Sequence, residues 1–422
     1  MKLVFMNMSI ARSLCLTNRA LLIIVSFYAV MMITSAAAAN APDIDALGAV
    51  LMDLDTGRAL YEKNPHQRLP NASTTKIMTA ILLIEHCEMT DSIEASQHAC
   101  ATPYTSLHLM PGETINAKDL LTGMLVRSAN DASVAAAEHI AGSTENFAKA
   151  MNAKAISLGC TDTNFVTPNG LHDPDHYSSA YDLCLITRYA LRYKEFNEAV
   201  NTRKYLLNSR SMNKEDLCVF ANSKFLRSYP GADGVKSGYT RQSRKCYVGS
   251  VTRDGWRLIS AVLGSSNANV DTAALMNYGF ANFEQVRVVG KNQKCGDAAV
   301  TGGRRATVPA LAVKELRVPV AKNGSKVTTR LEFADIEAPI ARDANVGRIV
   351  AMVDGQQVAF AELKAGEEMG ISLWRRARTL LKGCGMVVAL VIAGRYGRQI
   401  AKNSRRRRRR IASPLRNYNR RR

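Results

Sequence analysis

The 422-residue chain is long enough for two or three domains, and 47% hydrophobic with 22% charged residues is ordinary for a globular protein, which excludes collagen-like, repeat and wholly disordered classes. A formal net charge of +20 suggests a nucleic-acid partner, but all 36 acids lie in residues 42–373, where Lys and Arg match them in number. The excess belongs to the two ends, so the neutral body gives no electrostatic reason to expect a polyanion, and no nucleic acid is expected.

Residues 1–39 read as an export signal. Lys2, Arg12 and Arg19 precede an uncharged stretch from Ala20 to Ala39, which contains LLIIVSFYAVMM and ends in small residues suited to cleavage after Ala39. The same stretch is long enough to span a bilayer uncleaved; either way the body lies outside the cytoplasm. Nine cysteines are present. They form no CxxC pair and no Cys/His cluster with metal spacing, so neither metal nor cofactor is expected. An oxidising compartment permits disulfides, whose pairing the spacing leaves open.

Residues 48–63 predict two short strands joined at Asp55-Thr56-Gly57. Helical patterns follow over 73–86, 117–125, 131–141, 147–159 and 180–192. Between the last two, TDTNFVTPNGLHDPDHYSS is rich in turn formers and predicts a structured loop. Strands over 245–252 and 257–264 flank the hairpin signal Arg253-Asp254-Gly255, and 271–283 returns to helix with Asp271 as its N-cap. This order predicts one sheet built from both ends of a domain. Residues 295–368 read as a separate small β domain with a hairpin turn at Asp354-Gly355. Residues 371–396 read as a membrane-anchoring segment, either an amphipathic helix on the lipid surface or a short span. Residues 397–422, with six consecutive arginines at 405–410, read as a disordered tail.

Three short motifs carry the chemistry. Ser73-Thr74-Thr75-Lys76 is an S-x-x-K at a helix start, Ser128-Ala129-Asn130 an S-x-N between helices, and Lys236-Ser237-Gly238 a K-[ST]-G before a strand hairpin. A serine hydroxyl needs a base, and a lysine three residues on shares its helical face. That lysine must be neutral, which burial and a second cation such as Lys236 favour. A helix start and a strand edge can each aim a backbone N–H at a developing oxyanion. Singly, each motif is weak: Ser211-Met212-Asn213-Lys214 and Ser265-Ser266-Asn267 are decoys in the same chain. Only the set at 73, 128 and 236 has the order the chemistry needs.

The set resembles that of the penicillin-recognising serine enzymes, and more narrowly the low-molecular-weight penicillin-binding proteins that are D-alanyl-D-alanine carboxypeptidases. LPNASTTKIMTA, MLVRSANDASVAAAEHIAGS and GADGVKSGYT carry the resemblance. It implies a mixed α/β fold: a β-lactamase/transpeptidase-like catalytic domain over 40–290, with an antiparallel sheet flanked by helices, followed by the small all-β domain. It also implies that Ser73 forms an acyl-enzyme, Lys76 takes its proton, Ser128 relays it to the leaving D-alanine and Asn130 holds the network. Lys236, Ser237, Gly238, Tyr239 and Thr240 would bind substrate, with the N–H groups of Ser73 and Tyr239 as oxyanion hole. The implied partners are peptidoglycan stem peptides ending in D-Ala-D-Ala, β-lactams as inhibitors, and membrane lipids at the C-terminal segment. The implied place is the periplasmic face of the inner membrane. Ser237 stands where threonine is commoner, and the family's carboxylate-binding arginine has no clear counterpart. A serine β-lactamase or DD-endopeptidase on the same scaffold, or a non-catalytic wall-binding protein, are the alternatives.

Overall fold

The computed structural model describes residues 41–418 except Asn213, Lys214 and Asp216. The expected export signal lies outside the described residues. The chain divides into two compact units, Met1–Gln285 with Pro319–Ser325, and Val286–Val318 with Lys326–Arg422.

The first unit opens with β1 (Gly48–Asp53) and β2 (Ala59–Lys63), joined at the expected turn. Asp53 fixes that turn by accepting the Thr56 N–H at 2.8 Å and the Trp256 indole N–H at 2.7 Å. A 3₁₀ turn, Ala72–Thr75, then leads into α1 (Lys76–His86). One continuous helix from residue 73 was expected; Ser73 lies instead in the tighter turn. A helical block follows: β3 (Ser92–Glu94), α2 (Gln97–Cys100), β4 (Thr114–Asn116), α3 (Ala117–Val126), α4 (Asn130–Ala141), α5 (Thr144–Ser157), α6 (Ala180–Ala190) and α7 (Lys194–Asn201). Asn116, Ser143 and Ser179 cap α3, α5 and α6 by accepting a backbone N–H three residues on. The row Ala132, Ala135, Ala136 and Ala137 is fully buried, which lets α4 pack closely. The short polar α7 was not expected; it is held by Phe196, Ala199 and Val200 pointing inward.

After β5 (Lys204–Leu206), β6 (Cys218–Phe220) and α8 (Lys224–Ser228), the chain forms β7 (Ala232–Thr240), β8 (Arg244–Arg253) and β9 (Trp256–Ser265). The main sheet is antiparallel with order β2-β1-β9-β8-β7, so both ends of the unit build it, as predicted, and β7 is an edge. The Lys236 motif lies within β7, a strand of its own directly ahead of the predicted β8–β9 hairpin. The closing helix α9 (Ala268–Asn282) is capped at Asn267, one turn earlier than expected. Asp271 sits in its first turn, where it accepts the Ala46 N–H at 3.1 Å and the Ser265 hydroxyl at 2.6 Å. It ties the start of the described chain to this helix rather than capping it.

Strands follow: β10 (Phe283–Val289), β11 (Lys294–Thr301), β12 (Thr307–Ala312), β13 (Leu316–Ala321), β14 (Val327–Phe333), β15 (Ile336–Glu337), β16 (Asn345–Val353) and β17 (Gln356–Ala365). Six of them form a sheet of order β14-β16-β17-β12-β11-β15, while β10 pairs with β13. Asp354 and Gly355 join β16 to β17 with φ of 52° and 81°, the signs that a tight two-residue hairpin needs. The last helix, α10 (Leu373–Tyr418), contains within Leu373–Arg408 an 18-residue window with mean hydropathy 1.6, long and apolar enough to cross a membrane. It continues through residues 397–418, where a disordered tail was expected.

Candidate active site

The three motifs converge on one cleft of about 1110 Å³, lined among others by Ser73, Ser128, Asn130, Lys236, Ser237 and Gly238. Each arrives on a different element: the 3₁₀ turn before α1, the α3–α4 connection, and the edge strand β7. Lys76, at the first position of α1, is fully buried and its Nζ lies 3.0 Å from Ser73 Oγ. It also donates to Asn130 Oδ1 and to the Asn169 carbonyl, both at 2.7 Å. Asn130 is itself fixed: its Nδ2 donates to the Pro103 carbonyl at 2.8 Å and its backbone N–H to the Thr105 carbonyl at 2.7 Å. Ser128 takes a left-handed φ of 69°, uncommon for serine, and its Oγ accepts from Lys236 Nζ at 2.9 Å.

Among the described residues, the hydrogen-bond partners of the two lysines are hydroxyl and carbonyl oxygens, none of them a carboxylate. Burial, and secondarily the charge of Lys236, hold the Lys76 amine well below its ordinary range. Burial alone brings Lys236 down to about 7. The unfolded chain keeps that proton up to about 10.5, so between these values unfolding takes a proton up and stability rises with pH. The melting temperature, followed by calorimetry from pH 7 to 9, should therefore climb more steeply in the wild type than in Lys236→Gln. The difference corresponds to at most about 1.4 kcal/mol per pH unit. Equal slopes would mean a lysine that stays charged in the native state.

Gly238 has a steric role. A Cβ there would lie 2.9 Å from the Ser73 backbone N and 3.1 Å from Ala72 Cβ, so only glycine lets β7 run this close to the turn. Tyr239 follows, largely exposed at the cleft mouth. Thr240 lines the cleft too, but its hydroxyl is engaged with Ser243 Oγ at 2.9 Å.

Sequence reasoning missed the supports. Asn169 supplies a backbone carbonyl, and the adjacent Gly170 would place a Cβ 1.9 Å from the Ala72 carbonyl oxygen. The turn signal Pro168-Asn169-Gly170 marked this loop without revealing its target. His176 packs beneath: its Nδ1 accepts the Val166 N–H at 3.0 Å, so Nε2 carries the proton and donates to Thr75 Oγ1 at 2.8 Å. Burial lowers it to about 4, which keeps it neutral. Asp131 gathers the N–H groups of Leu107 and Leu109 at 3.0 and 3.1 Å, and the Arg210–Glu113 pair (2.8 Å, both side chains fully buried) clamps the same loop. The decoy Ser265-Ser266-Asn267 joins β9 to α9, and none of its three residues lines the cleft; the decoy at Ser211 lies partly outside the described residues.

This arrangement has known counterparts. Residues 35–267 match the D-alanyl-D-alanine carboxypeptidase family, and residues 283–370 match the penicillin-binding protein 5 C-terminal domain. The D-alanyl-D-alanine carboxypeptidase DacF of Bacillus subtilis is 33% identical over 336 residues, 77% of this chain and 86% of that protein. DacA of Haemophilus influenzae is 31% identical over 78% of this chain and 86% of its own length. The crystal structure of penicillin binding protein 5 from Haemophilus influenzae matches with a TM-score of 0.67 and 30% identity, over 79% of this chain and 99% of that one. The chain therefore belongs to the D-alanyl-D-alanine carboxypeptidases, serine-type hydrolases of the low-molecular-weight penicillin-binding class that act in cell-wall metabolism.

Proposed function

We propose that Ser73 is the residue acylated during removal of the terminal D-alanine from a peptidoglycan stem peptide. The observation that carries this reading is the surroundings of Lys76. Two carbonyl oxygens take two of its hydrogens, and the remaining direction faces Ser73 Oγ. A neutral amine has two N–H groups and one lone pair, so the lone pair is left for the serine proton. Ser73 Oγ then bonds to the carbonyl carbon of the penultimate D-alanine, and its proton passes to Lys76. The oxyanion sits between the N–H groups of Ser73 and Tyr239. Collapse breaks the C–N bond, and the proton held by Lys76 passes through the Ser128 hydroxyl to the departing nitrogen, leaving both groups as they began, while Lys236 and Ser237 hold the terminal carboxylate. Water then attacks the ester and restores Ser73. A β-lactam follows the first half of this path and stalls as the ester.

Intact-protein mass after benzylpenicillin should rise by one penicillin, and peptide mapping should place it on Ser73. An adduct on any other serine would overturn the assignment. We further infer that the chain is exported and held by α10 at the outer face of the cytoplasmic membrane, supported by the apolar stretch within Leu373–Arg408. On alkaline extraction of membranes the full chain should stay in the pellet, while a chain ending at residue 370 should be released. Release of both would remove the anchor.

A further inference from the structure

Beyond Lys236, the cleft carries basic residues that the proposed chemistry leaves unused. Arg127, His172, Lys236, Arg241 and Lys245 line it, and among the described residues no Asp or Glu does. The body around it is formally neutral, so the bias is local to this wall. Lys236 is engaged with Ser128, Arg127 donates to the Ser106 carbonyl at 2.8 Å, and Arg244 is ion-paired with Asp45 at 2.9 Å. Arg241 and Lys245, both exposed, have no ion-pair partner among the described residues.

These two cations are presented on a firm support. Arg241 and Gln242 are the central residues of the turn from β7 to β8. That turn is closed by the Thr240 N–H donating to Ser243 Oγ and the Ser243 N–H donating back to Thr240 Oγ1, each at 2.9 Å. Ser243 is buried. Lys245 stands opposite Tyr239 in the β7–β8 ladder.

The direction of the substrate follows from the site. Ser128 and Lys236 serve the leaving D-alanine, so the acyl portion continues from the reacting carbon the other way, past Tyr239 and Thr240 toward the turn. At about 3.3 Å per extended residue, Arg241 lies about 10 Å beyond Gly238. A long guanidinium side chain there reaches the side chain of the residue preceding D-Ala-D-Ala.

We infer that Arg241 and Lys245 read a carboxylate on that side chain. The enzyme then prefers stems whose residue before D-Ala-D-Ala is a diamino diacid with its distal carboxylate free, over stems in which that group is an amide. This rests on the catalytic reading of Ser73, from which the substrate direction is taken. A guanidinium and an ammonium at a solvent-facing rim select a carboxylate mainly through charge-assisted contacts, which salt weakens.

The test uses the full chain in detergent and two pentapeptides ending in D-Ala-D-Ala, one with free meso-diaminopimelate before the dipeptide and one with its carboxamide. D-alanine release should give a kcat/KM about five- to tenfold higher for the free acid. That ratio should fall toward one in Arg241→Gln/Lys245→Gln and in high salt. Penicillin acylation of each protein reports independently that the site is folded. A wild type that takes penicillin yet handles both peptides equally overturns the inference and leaves the Ser73 reading standing. So does a ratio that survives the double substitution.

Discussion

Lys76→Arg should lower kcat/KM for diacetyl-Lys-D-Ala-D-Ala by about a thousand- to ten-thousandfold, and Ser73→Ala by at least as much. Arginine keeps a positive charge and N–H donors for Asn130 and Asn169, so the cavity stays occupied. It cannot lose its proton in a protein, so no lone pair faces Ser73. The comparison separates a base from a charge: if Lys76 only supplied positive potential, arginine would retain activity within about tenfold. Because the two residues act in one step, the double variant Ser73→Ala/Lys76→Arg should be no slower than the worse single one. Stopped-flow acylation by a fluorescent penicillin reads the same step without water attack, and it should fall in parallel for Lys76→Arg. An acylation rate left intact would move Lys76 out of the first half-reaction.

The second large effect is structural. Gly170→Ala should cost about 3–4 kcal/mol in urea unfolding. Its φ of +82° disfavours a side chain, and the new Cβ would lie 1.9 Å from the Ala72 carbonyl oxygen and 2.4 Å from the Ala72 carbonyl carbon. Both are backbone atoms of the turn that carries Ser73, so relief requires moving either that turn or the loop that gives Lys76 its Asn169 carbonyl. Gly142→Ala is the control. Its φ is +74° with nothing within 4 Å of a Cβ, so it should cost only the conformational penalty, about 1–2 kcal/mol. The folded fraction of Gly170→Ala should also acylate slowly, whereas Gly142→Ala should acylate normally. Equal costs for the two alanines would mean that the close approach at Gly170 relaxes freely.

The parts of this protein that could be read from its sequence are those where side-chain chemistry repeats or punctuates. Asp254-Gly255 and Asp354-Gly355 announce hairpins because their backbone signs demand such residues. Ser73, Ser128 and Lys236 stand out because each belongs to a spaced motif. What stayed hidden acts through backbone atoms or across long separations. The Asn169 carbonyl that anchors Lys76 has no side-chain signature, and Arg210 meets Glu113 only because the fold returns the chain to it. Asp271 looks like a helix cap in isolation; its partner Ala46 lies at the other end of the unit. Thr240 reads as part of the substrate strand, yet its hydroxyl is engaged in closing a turn.

The position of β1 has a consequence for how the chain folds. Gly48 pairs with Leu263 and Asp53 with Leu258, so the first strand finds its second neighbour only in the last strand of the sheet. Closing so long a loop is entropically costly, and the reward arrives only when β9 is present. During synthesis, or during threading through any pore from the N-terminus, the sheet stays unfinished until residue 265 has emerged. Val50 and Met52, fully buried in the finished unit, meanwhile lack the strand that covers them. The main sheet of the catalytic unit therefore cannot be completed before β9, its last strand in the chain, is available.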